Sequence, residues 1–81
     1  MDLEKMNELL VSLEDERRFV FEKIEAVEKF RESEDYEKIS LNHLDAVLSQ
    51  NKAMQNYMTA LTCRIEDLRF RIKEKEEFLE N

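Results

Sequence analysis

The sequence contains no glycine, no proline and no tryptophan. It therefore lacks the residues that most readily break helices and build tight turns. A glycine-rich phosphate loop is excluded outright. Cys63 is the single cysteine, so no internal disulfide can form, and such sparse thiol use fits a reducing compartment. His43 is the single histidine, which excludes a histidine-based metal cluster. No run approaches the roughly 18 apolar residues of a membrane span. The opening residues Met1 to Lys5 have neither the basic segment nor the apolar run of a signal peptide, and the expected location is cytoplasmic. A basic excess is also missing. The formal charge of −7 argues against a general duplex nucleic-acid binder, which carries a basic footprint.

What is present is a regular mixture of 41% charged and 42% hydrophobic residues, too apolar for a disordered chain. The apolar residues recur with a seven-residue period. In the first half one series runs Leu3, Leu10, Arg17, Ile24 and the other Met6, Leu13, Val20, Val27. In the second half the series are Leu44, Asn51, Met58, Ile65, Ile72, Leu79 and Val47, Met54, Leu61, Leu68, Lys75. Alternating three- and four-residue spacing is the signature of a coiled-coil seam. The reading is all-α: residues 1–81 as one antiparallel, coiled-coil-like helical hairpin. The first helix covers about 2–31, a connector about 32–40, and a long second helix about 41–80. Ser33 and Ser40 are placed to cap a short extra turn and the second helix respectively. Tyr36 and Ile39 are expected to cover the end of the bundle.

Folding the two seams together puts Val27 opposite Leu44, Val20 opposite Asn51 and Leu3 opposite Leu68. The tail after Leu68 then overhangs by roughly 18 Å and carries Phe70, Ile72, Phe78 and Leu79. Leu9, Val11, Phe19, Phe21, Phe30, Leu48 and Tyr57 are further apolar residues off the seam. A core this small supplies only a few kcal/mol by itself. The expectation is a homo-oligomeric helical bundle in which these surfaces meet. Cys63 is expected to be buried or half-buried, as small hydrophobes are.

Part of the chain resembles a known family. The stretches that carry the resemblance are Glu22-Lys23-Ile24-Glu25, Phe30, Glu34 to Ser40, Leu48-Ser49-Gln50, Ala53 to Tyr57, Leu61 and Arg64-Ile65. Together they resemble a family of small helical proteins encoded by crAss-like and other tailed phages, over about 16–65. Arg17-Arg18-Phe19 and Phe21 depart from its pattern, which has ordinary polar surface there. So does His43, where an acidic residue would complete a capping box. The resemblance implies a phage accessory protein acting in the bacterial cytoplasm. Small phage accessory proteins often counter host immunity, some by sequestering a nucleotide signal in pockets between subunits.

Residues suited to catalysis are scarce. Cys63 and His43 lie about 30 Å apart on one straight helix, and the carboxylates read as solvated helix surface. The Glu-x-x-His signature of helical di-metal sites is missing. The chain reads as a non-enzyme with no cofactor. Binding residues are easier to nominate. Arg17 and Asn51 interrupt the seam, either to set register and oligomer state or to open a polar pocket. Arg18, Phe21, Gln50, Gln55 and Tyr57 surround them in the expected register. Arginine offers phosphate a planar fork, an aromatic ring offers a base a stacking face, and an amide offers donors and acceptors. Arg64, Arg69, Arg71 and Lys73 form a second basic group interleaved with Phe70, either paired with nearby acids or serving an intersubunit phosphate site. Arg17 and Arg18 have ordinary partners too, in Glu14 and Glu22. Three roles fit: capture of a small anionic nucleotide signal, an adaptor that binds a host defence protein, or a purely structural coiled coil. A membrane partner is not expected, nor is nucleic acid.

Overall fold

In the computed structural model, residues 1–80 are described, and the side chains of 1–79. Two helices run antiparallel: α1, Leu3–Arg31, and α2, Leu41–Glu80, with a 3-10 turn, Glu34–Lys38, between them. The described chain measures 62 × 15 × 15 Å. At about 1.5 Å per residue α2 alone accounts for the long axis.

The helix ends have local causes. Asp2 adopts extended backbone and its Oδ1 accepts from the Lys5 amide at 2.8 Å, closing the first turn of α1. Lys29 and Arg31 stand in the last turn, where positive charge faces the negative end of the helix dipole. Ser40 Oγ accepts from the His43 amide at 3.1 Å and caps α2. Ser33 stands at the corresponding place before the 3-10 turn, but its hydroxyl instead donates back to the Phe30 carbonyl at 2.6 Å.

The core is the seam that the heptads outline. Leu61 and Ile65 are completely enclosed, joined by Leu13, Val20, Leu68 and Ile72. Leu3, Met6, Leu9, Leu10, Ile24, Met54 and Met58 pack on this cluster as half-buried neighbours. Cys63 is exposed, contrary to expectation. At about 100° per residue it lies roughly 160° round α2 from Ile65, on the side away from α1.

The register differs from the pairing expected from the seams, by more than one helical turn. Asn51 meets Glu28 rather than Val20, and Lys75 Nζ donates to the Met1 carbonyl at 2.8 Å. The connector is the reason. Tyr36 stacks edge-on against Phe30 with ring centroids 5.8 Å apart, and His43 also lies beside Phe30. The 3-10 turn therefore occupies the level beyond the end of α1, and the first residues of α2 extend past α1. Sliding α2 this way shortens the overhang. Ile72 is buried within the chain rather than left over. Past Lys75 only about 8 Å of described helix projects, carrying the exposed Phe78 and Leu79. Phe70 is exposed on the outer side of α2.

Candidate functional site

A two-helix hairpin leaves one groove on each side of its seam, and here each groove deepens into a depression. The first, of about 250 Å³, is lined by Glu14, Arg17, Arg18 and Phe21 from α1 and by Met58 from α2. The second, of about 350 Å³, is lined by Lys23, Ala26, Val27 and Phe30 from α1, and by His43, Val47, Gln50 and Met54 from α2. At about 100° per residue the two sets on α1 point roughly 180° apart, so the depressions open on opposite faces.

The first depression gathers Arg17, Arg18 and Phe21. Arg17 is half-buried and makes no hydrogen bond or ion pair among the described residues. Its expected partner Glu14 is taken by Arg69, whose Nη2 lies 3.3 Å from Glu14 Oε2 across the hairpin. Arg18 pairs loosely with Asp15 at 3.7 Å rather than with Glu22, and both side chains are largely exposed. Such a pair holds little energy and leaves Arg18 available. Phe21 remains 49% exposed, so a flat face is accessible beside the two guanidinium groups.

The other nominated residues disperse. Gln50 faces the second depression. Asn51 is buried in the seam with its Nδ2 donating to Glu28 Oε1 at 3.1 Å. Asn51 Oδ1 is enclosed and has no partner among the described residues. Glu28 lies about 16 Å along α1 from Arg17, so the two polar interruptions of the seam do not share one pocket within the chain. Gln55 and Tyr57 are exposed. Arg71 pairs with Asp67 at 3.1 Å, one turn away on the same helix. Arg64 is exposed without an ion pair among the described residues. Lys23, Phe30, His43 and Glu28 were not foreseen as site residues. Lys23, Ala26 and Phe30 do repeat at helical spacing, but spacing within α1 does not report that His43 of α2 stands beside Phe30.

Among the described residues no three of His, Cys, Asp or Glu are grouped to hold a metal ion, and no helix is long and apolar enough to cross a membrane. A family model, Sequestin, matches residues 7–67, which include most of α1, the first two thirds of α2 and every residue of the two depressions. This chain belongs to the Sequestin family. No curated protein and no solved structure matches it. The name Sequestin denotes a protein that sequesters, that is, a binding role. In Sequestin terms, the features that matter are therefore concave surfaces with polar groups lacking partners, and Arg17 stands in one.

Proposed function

We propose that this chain is a non-enzymatic binding protein that captures a small anionic nucleotide signal in pockets between subunits. In that role it is a phage-encoded protein that withholds the signal from a host defence effector in the bacterial cytoplasm. The observation that carries the reading is Arg17. A guanidinium keeps its charge at any ordinary pH and is costly to cover without an anion. A phosphate would satisfy it bidentately, with Arg18 adjacent and Phe21 as a stacking face for the base. The family name adds the sequestering role.

The intersubunit part of the reading rests on surface area. A compact protein of 9.8 kDa exposes about 5,200 Å², whereas this hairpin exposes 6401 Å². The surplus of about 1,200 Å² exceeds one subunit's usual share of a stable interface, about 800 Å². Phe19, Phe70 and Phe78, each at least 60% exposed, are part of it. The same exposed rings favour a second reading, an adaptor or inhibitor that docks a host protein along the helices.

Isothermal titration against cyclic dinucleotides and cyclic ADP-ribose isomers tests the first reading, and stoichiometric heat with one of them is the expected result. Mass spectrometry of small molecules released on denaturation is the complementary test. The chain has no Trp and two Tyr, so the ultraviolet absorbance of a retained base stands out. Silence across the panel together with a stoichiometric protein partner from bacterial lysate would replace capture by the adaptor reading.

A further inference from the structure

We propose that the depression on the face opposite Arg17 is a second ligand site, built for a flat aromatic ring that carries an anionic group. The proposal does not rest on the Arg17 reading, because the two surfaces point in opposite directions.

Three observations carry it. The first is shape and lining. At about 350 Å³ the depression falls in the size range of small-molecule sites. Its floor is apolar, made by Val27, Val47 and Met54. The second is a prepared aromatic wall. Phe30 and His43 stand 6.3 Å apart with their planes inclined by only 30°. Tyr36 meets Phe30 edge-on at 89°, which holds that ring in place. His43 itself is exposed, so one imidazole face is open to an incoming ring.

The third observation is charge. The chain has 20 acidic residues against 13 basic ones, yet no acidic residue lines this depression. The opposite depression, by contrast, includes Glu14. The charged group at this rim is Lys23, which has no ion pair among the described residues. Its ammonium rests 5.1 Å from the centroid of the exposed Phe19 ring. An exposed cation–π contact of that kind is weak enough to yield to a phosphate or carboxylate. Gln50 stands on the other rim with no side-chain hydrogen bond among the described residues, and it can both donate to and accept from the edge of a heterocycle. Stacking, an apolar floor, one cation and one free amide together select a planar heteroaromatic anion over an aliphatic one or a bare phosphate.

The test is an NMR titration of the full chain with adenosine 5′-monophosphate, adenosine and inorganic phosphate in parallel. The monophosphate is expected to shift Ala26, Phe30, His43 and Gln50. Adenosine should shift the same residues with lower affinity, and phosphate alone should not reproduce the pattern. Ala26 is an exposed helix position outside the seam, so Ala26→Trp fills the depression without disturbing the core and should abolish the shifts. His43→Ala removes the wall and should weaken binding at least about fivefold with helicity unchanged. Arg17→Leu should leave these shifts intact. The proposal is overturned if millimolar monophosphate moves nothing here, or if its shifts fall on Arg17, Phe21 and Met58. The second result would leave the Arg17 reading standing. Shifts of Ala26, Phe30 and His43 on simple dilution would also overturn it, since they would mean that another copy of the chain fills the depression.

Discussion

Replacing Asn51 with leucine should make this protein more stable, and the size of the gain can be worked from the seam. Asn51 is only 8% exposed, yet its Oδ1 has no partner among the described residues. An enclosed, unsatisfied acceptor costs about 1–3 kcal/mol. Leucine branches at the same carbon as asparagine, and its methyl groups extend the apolar run of Val47, Leu61 and Ile65. Burying them adds about 1.5–3 kcal/mol, less any local crowding. Against this stands the loss of the Asn51–Glu28 hydrogen bond at 3.1 Å. The Glu28 side chain is 45% exposed and already bonded to Arg31, so it rehydrates easily and the loss is about 1 kcal/mol or less. The net expectation is a gain of about 2 kcal/mol. For a domain of this size that raises the melting temperature by about 8–16 °C. Thermal and urea unfolding followed by circular dichroism, at one fixed chain concentration, measures it. A melting temperature that stays put or falls would refute the reasoning, because it would mean that Oδ1 has a partner in solution, supplied by another subunit or by a ligand. The same variant probes specificity. A lone buried amide penalises wrong registers, so light scattering of Asn51→Leu should show a broader set of species than the parent.

Other changes test other parts of the structure. Ile65→Ala opens a cavity at a completely enclosed position and should cost about 3–4 kcal/mol, most of what a core this small supplies; cooperative thermal unfolding should be lost. Asp2→Ala removes the α1 cap and should cost about 1 kcal/mol, read as a lower urea midpoint with an unchanged slope. Arg69→Ala breaks a partly exposed cross-hairpin pair and should change stability by less than about 1 kcal/mol, with the difference shrinking further in high salt. Arg17→Leu should leave the fold intact while lowering nucleotide heat in titration to what the Phe30–His43 depression alone contributes; undiminished heat would remove Arg17 from the site.

Much of the architecture can be read from residues alone, because a coiled-coil seam is a local signal. The heptads name Leu13, Val20, Leu61, Leu68 and Ile72 as inward-facing, and all five are buried. Ser40 is identifiable as a cap because its hydroxyl precedes an apolar-periodic run, and it accepts from His43 as expected. The site was less legible. Arg17, Arg18 and Phe21 are near neighbours on one helix, and their grouping follows from helical spacing. The depression at Phe30 and His43 depends on two distant stretches meeting, and helical spacing within one helix does not report that meeting.

Residue order alone settles the two helices and the faces they turn to each other, each from a repeat within one segment, and their antiparallel return, from the shortness of the connector. It left the sliding of α2 along α1 undecided. A heptad seam is nearly degenerate in that direction, because moving one helix by seven residues again sets apolar against apolar. Only the tertiary structure chose, through the 3-10 turn under Phe30 and the pairing of Asn51 with Glu28. That choice buried Ile72 and freed Arg17 from Glu14. Both are consequences of side chains far apart in the chain competing for the same positions.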